Sequence, residues 1–171
     1  VPMTLRQDAL AAAAECVLEV ERIARRTRDL VGTVGRLEAL PGAVNVVPGR
    51  ARLTLDVRSP HDAVREEAVM DILGAFAAVG ERRNVKITAN KTHEGRTAPC
   101  APWLMEQVAE AVAAEGIAVR ELPSGAGHDG MAMIALADIA MLFVRCKGGI
   151  SHNPAEAITL DDAATGARVF M

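Results

Sequence analysis

Residues 52–58 alternate without a break: Leu53, Leu55 and Val57 fall on one side, and Arg52, Thr54, Asp56 and Arg58 on the other. A period of two over this length specifies a strand with one buried face and one open, polar face. Such a strand needs apolar cover on a single side, and the flanking residues supply it. Over residues 4–26 the positions Ala9, Ala13, Val17, Val20 and Ala24 form one helical stripe, with Glu15, Glu19 and Arg22 opposite. Thr4-x-x-Gln7 reads as a capping box that opens this helix. A second helix is expected from Pro60 or His61 to Arg83, with Val64, Ala68, Ile72, Phe76 and Val79 inward.

Two more strands complete the first half. Residues 31–40 end at a Pro41-Gly42 turn, and residues 85–90 alternate again. The order helix, strand, strand, helix, strand is that of a split βαβ, or ferredoxin-like, α+β unit whose first strand is missing. Residues 92–102 are polar, rich in turn formers and aperiodic, as a linker is. The boundary is placed there, giving parts 1–95 and 96–171.

The second part alternates differently. A helix over residues 102–115 carries Leu104, Val108, Ala111 and Val112 inward, and residues 118–122 read as a short strand. A loop with His128 leads to a helix (Met131, Ile134, Ala135), then an apolar strand over residues 139–144 and a loop with His152. The last helix starts near Thr159, with Asp161 and Asp162 in its first turn. This alternation predicts parallel α/β structure. Two strands make a poor sheet, so the rest of that layer is expected outside these residues.

The composition excludes several classes. With 171 residues, 50% hydrophobic, 24% charged and a net charge of -3, the chain has no basic stripe for nucleic acid. Its aromatics, Phe76, Trp103, Phe143 and Phe170, cannot build a stacking platform. Cys16, Cys100 and Cys146 are far apart with no C-x-x-C pair, which favours a reducing, cytoplasmic setting over a disulfide framework. No apolar run approaches the ~20 residues of a membrane span, and no signal-peptide pattern opens the chain. The start at Val-Pro-Met, almost on top of a helix, reads as a portion of something longer.

The two histidine loops hold the most chemistry. Ser124-Gly125-Ala126-Gly127-His128-Asp129 and Gly149-Ile150-Ser151-His152-Asn153-Pro154-Ala155-Glu156 both place a histidine after small residues, where backbone can approach a ligand. A single loop histidine is more often a solvated surface group, but two at the ends of one packed layer could converge on one pocket. Asp129 is expected to cap the following helix, because adjacent residues rarely face each other as a dyad. Ser124 lacks the G-x-S-x-G context of a nucleophile, and His61 and His93 read as surface residues.

Together with Pro2-Met3, Arg6-x-Asp8-Ala9-Leu10, Asn45-Val46-Val47-Pro48-Gly49 and Leu55-Asp56-Val57-Arg58, these loops make the chain resemble a particular group of enzymes. It is similar to the C-terminal half of the metal-dependent amidases that include allantoate amidohydrolases, N-carbamoyl-L-amino-acid hydrolases and β-ureidopropionases, within the aminoacylase and carboxypeptidase superfamily. The resemblance covers essentially every residue. It implies a ferredoxin-like lid that also forms a homodimer interface, followed by the end of a larger α/β metallohydrolase domain with two divalent ions, zinc or manganese.

Carried over by motif, His152 corresponds to the last metal ligand and His128 to a polar group near the substrate. Asn45 and Arg58 correspond to the lid residues that hold the substrate carboxylate. Their chemistry suits these roles: Arg58 offers a planar fork on the polar face of its strand, and imidazole is the commonest zinc ligand. Ser151 and Asn153 are expected to orient His152. Gly130 stands where the resembled enzymes more often have Ala, a change expected to matter little. The other metal ligands and the glutamate general base find no counterpart, so no catalytic residue is assigned within these residues. The chain alone is expected to be inactive and to hold no metal tightly. The implied reaction is metal-assisted hydrolysis of a ureido or amide bond in a small carboxylate. Residues 143–147 lean towards an allantoate substrate. The competing reading is a non-catalytic ferredoxin-like module for ligand binding or dimerisation.

Overall fold

Helix α1 (Ala9–Arg26) starts at Asp8, whose Oδ1 accepts the backbone N–H groups of Leu10 at 3.0 Å and Ala11 at 3.1 Å. The expected capping box at Thr4 does not form in this computed structural model, which describes residues 1–171. Met3–Leu5 make a 3-10 turn instead, and the helix begins after it. The carboxylate of Asp8 explains the shift, since it satisfies two of the amides that open a helix.

Two compact units make up the chain, Val1–Thr97 and Ala98–Met171. In the first, strands β1 (Val31–Leu40) and β2 (Arg50–Arg58) pair antiparallel, with Val31 opposite Arg58 at one end and Leu40 opposite Arg50 at the other. The ladder is irregular between Thr33 and Arg36. Along β2 the burial alternates as the sequence does, with Leu53, Leu55 and Val57 inward. Helix α2 (Asp62–Arg83) follows and ends at Asn84, which takes the left-handed conformation at φ 51°. Cys16, Val20 and Ile23 of α1 meet Ile72, Phe76 and Val79 of α2 over the inner face of the ribbon. Every fully buried apolar side chain of the molecule lies in this unit.

Residues 85–90 depart from expectation. Val85 and Ile87 turn inward against the core, yet the segment pairs with no strand. A strand is held by its ladder, and in a split βαβ the last strand lies beside the one that leads into the first helix. Here the residues before α1 form the 3-10 turn, so 85–90 have the side-chain pattern of a strand without its hydrogen bonds. Beyond them, the first turn of α2 pins residues 95–97: Arg65 donates to the Gly95 carbonyl at 2.9 Å, and Asp62 accepts the Thr97 N–H at 3.1 Å.

The second unit holds α3 (Pro102–Ala114), the single turn α4 (Gly130–Met133) and α5 (Leu160–Val169). Pro102 opens α3, where its missing N–H costs nothing. Thr159 caps α5 by accepting the Asp162 N–H at 3.0 Å, and Arg168 of α5 bridges to Glu115 after α3 at 2.8 Å. The parallel sheet expected here is absent, since neither 118–122 nor 139–144 forms a strand. The expected helix near Met131 shrinks to α4. Apolar residues of this unit such as Leu122, Leu136 and Phe143 stay exposed, and a strand without backbone partners or burial has nothing to hold it.

Candidate functional site

Arg58 is the last residue of β2, on its polar face. Its Nε donates to Asp56 Oδ1 at 2.7 Å and a terminal amino group donates to Oδ2 at 3.2 Å, a two-pronged grip on a carboxylate. That hydrogen bonding raises the guanidinium pKa, with the Asp56 charge acting in the same direction. The geometry demonstrates what the fork takes, and it also shows that an incoming carboxylate must share Arg58 with Asp56.

Asn45 sits exposed in the turn that joins β1 to β2, where the Val46 N–H reaches the Ala43 carbonyl at 3.3 Å. The structure does not bring it to Arg58. The turn adjoins the Leu40–Arg50 end of the ribbon, whereas Arg58 faces Val31 at the other. The 9 residues of β2 between them span roughly 25–30 Å.

The two imidazoles differ in what holds them. His128 Nδ1 accepts the backbone N–H of Gly130 at 3.0 Å. A backbone amide only donates, so Nδ1 must carry a lone pair, and in the neutral ring the proton is on Nε2. His128 in this pose presents an N–H donor and cannot bind a metal through Nε2. His152 Nδ1 instead lies 2.8 Å from Ser151 Oγ. A hydroxyl can accept as well as donate, so Nδ1 can keep its proton and leave the Nε2 lone pair free for a metal.

His152 also has a strained backbone, with φ at 57°, and it follows Gly148 and Gly149, both at positive φ. A non-glycine residue in this region costs of order 1–3 kcal/mol and persists only where neighbours enforce it. Glu156 does so, accepting the His152 N–H at 2.9 Å while its own N–H reaches the Asn153 carbonyl at 2.9 Å. Asn153, expected to orient the ring, instead accepts the Ala155 N–H at 2.9 Å and shapes the turn. Glu156 was the residue missed. Its place four positions after His152 was the available signal.

Asp129 also departs from expectation. It occupies the position before α4, but its side chain accepts no helix amide, and His128 takes the Gly130 N–H in its place. Each histidine ring is hydrogen-bonded within its own loop through Nδ1, and no hydrogen bond joins the two rings. Ser124 Oγ turns back on residue 126, and His61 and His93 are exposed. No group of three or more His, Cys, Asp or Glu side chains converges to hold a metal ion. All three cysteines are unpaired, and no helix is long and apolar enough to cross a membrane.

The profile of peptidase family M20/M25/M40 matches residues 4–171. An N-carbamoyl-L-amino acid amidohydrolase of Geobacillus stearothermophilus is 39% identical over 169 residues, covering 99% of this chain and 41% of that protein. An allantoate deiminase of Arabidopsis thaliana is 33% identical, covering 100% of this chain and 38% of its own length. A solved amidase of the hydantoinase/carbamoylase family from Burkholderia multivorans superposes with a TM-score of 0.93 at 32% identity, covering 99% of this chain and 42% of that one. The chain therefore spans about two fifths of the length of the relatives it matches.

Proposed function

The chain belongs to peptidase family M20/M25/M40, and on that premise we propose that it is the carboxylate-binding and last-ligand portion of an amidohydrolase. The whole enzyme cleaves a linear ureido or amide C–N bond in a small carboxylate, an N-carbamoyl-L-amino acid or allantoate. Residues 1–95 act as a ferredoxin-like lid, and residues 96–171 close the catalytic domain.

The contrast between the two imidazoles carries this reading. His152, with an amphoteric hydroxyl on Nδ1, suits a metal through Nε2, and Glu156 holds its backbone in place. His128, fixed as an Nε2–H donor by a backbone amide, suits an oxygen of the substrate. Arg58 takes the substrate carboxylate in the manner that it takes Asp56. Asn45, a strand's length from it, donates its amide to the same group only from a second copy of the chain.

Metal fits this donor set only in part. A catalytic site needs about three protein ligands, and His152 supplies one. When bound, a pair of zinc or manganese ions would supply a water acidic enough to attack the carbonyl carbon. The remaining ligands and the general base belong to the rest of the enzyme.

The test is turnover by the full-length protein of N-carbamoyl-L-amino acids, allantoate and β-ureidopropionate, with Arg58→Ala beside the wild type. The variant should raise KM by at least about tenfold while metal content and kcat hold, since a lost fork removes carboxylate binding and not the hydrolytic chemistry. Turnover of none of the three sinks the function. An unchanged KM sinks the role of Arg58.

A further inference from the structure

Thr97 is the last residue of the first unit, and its N–H is bonded to the Asp62 carboxylate at 3.1 Å. Two residues earlier the Gly95 carbonyl accepts from Arg65 at 2.9 Å, and Glu94 lies 3.8 Å from the same guanidinium. The Arg65 side chain is only 12% exposed, and three carboxylates face it, those of Asp62, Glu66 and Glu94. A guanidinium withdrawn from water holds what pairs with it, because letting go leaves a charge uncompensated. On the far side, the Ala101 N–H is bonded to the Ile139 carbonyl at 2.8 Å, within the second unit. Between these anchors residues 98–100 make no backbone hydrogen bond.

We propose that Asp62 and Arg65 are positioning residues, which clip residues 94–97 to the first turn of α2 and so confine the pivot between the units to Ala98, Pro99 and Cys100. This rests on the reading of residues 1–95 as a lid that brings Arg58 to the substrate. The clip is close to that arginine along the chain. Only residues 59–61 separate Arg58 from Asp62, and the His61 N–H on Ser59 Oγ at 3.1 Å closes their turn. Residues 88–94 are exposed, and the last side chain before them that packs on the core is Ile87. Without the clip, the free connection therefore grows from residues 98–100 to residues 88–100. Arg58 then takes many more placements, and a smaller share of them meets the substrate carboxylate.

Trypsin reads the clip directly, because the Arg96–Thr97 bond lies inside it and a protease cuts only chain that has come free. In the full-length enzyme this bond should resist cleavage. Arg65→Met or Asp62→Asn should speed its cleavage by at least about tenfold, the effect of losing a charge-assisted hydrogen bond, while the rates at Arg22 and Arg25 of α1 hold. The same variants should raise KM by about threefold or more with kcat unchanged, since a longer free connection lowers the competent fraction and leaves the chemistry alone. The double variant should be no worse than the stronger single one, because both residues act through one clip. Cleavage at Arg96 that is unchanged, or that rises together with cleavage in α1, overturns the clip. A KM that holds while the bond opens, or a loss in kcat alone, overturns the positioning role. Failure of the lid reading shows separately, as an unchanged KM in Arg58→Ala, and leaves the cleavage result as it is.

Discussion

Gly80 lies inside α2 and is buried, and a Cβ there would come within 2.8 Å of the Val85 carbonyl oxygen. Helix propensity alone favours alanine over glycine by roughly 1 kcal/mol. Space decides the sign the other way, because the obstructing atom is backbone. The Val85 N–H is bonded to the Gly80 carbonyl at 2.9 Å, so the chain cannot step aside without losing that bond. Gly80→Ala should therefore destabilise the protein by about 1–3 kcal/mol, the usual penalty for overpacking. A denaturation midpoint equal to or above that of the wild type would show that residues 85–87 yield easily. The position is not legible from the sequence, where a glycine in a helical pattern looks only like a weak spot.

At the surface, one carboxylate of α1 meets two arginines of α2. Glu15 of α1 accepts from Arg83 and, at 2.6 Å, from Arg82, both in the last turn of α2. Hydrogen bonding to Arg83 first and Arg82 second takes the Glu15 pKa from an ordinary 4.5 to about 2, against a smaller opposing effect of burial. A carboxyl depressed on folding contributes stability that is complete above its unfolded pKa and fades as pH falls through the folded one. Glu15→Gln should accordingly be less stable than wild type at neutral pH. That difference should close as pH drops from about 4.5 to about 2. Denaturation midpoints of both proteins across this window give the measurement, and a difference that stays constant would place the coupling elsewhere. Elements also show where pattern is insufficient. Residues 85–90 and 139–144 carry strand sequences, but a strand is a property of two segments, and neither finds its neighbour.

At the scale of the whole molecule, the placement of Asn45 and Arg58 at opposite ends of β2 bears on assembly. Two groups that far apart can hold one substrate carboxylate only if they come from different copies. In the order of a split βαβ sheet, β1 is the outer strand, and its unpaired edge is a surface on which a second copy can add. The full-length enzyme should then be a homodimer with each site completed by the partner. Arg58→Ala and Asn45→Ala, each weak alone, should recover about a quarter of wild-type activity when subunits are mixed and exchanged, because half the dimers are hybrid and half their sites intact. No recovery from verified hybrid dimers would mean that Asn45 and Arg58 do not share a site across subunits.

The sequence by itself determined the family, through motifs that need no coordinates, and the order of the first unit's two long helices and two paired strands. Residues 52–58 alternate, and both long helices carry their stripes, because side-chain periodicity follows from local backbone geometry. Expectations of that local kind held for β1, β2, α2, α3 and α5. What only the tertiary structure decided is which groups meet. Asp8 rather than Thr4 opens α1, Glu156 rather than Asn153 steadies His152, and Asn45 stands a strand's length from Arg58. The tautomer permitted to each histidine belongs here too. It depends on whether a hydroxyl or an amide faces Nδ1, and contacts between side chains are set by the path of the chain in space, which no residue's own propensity encodes.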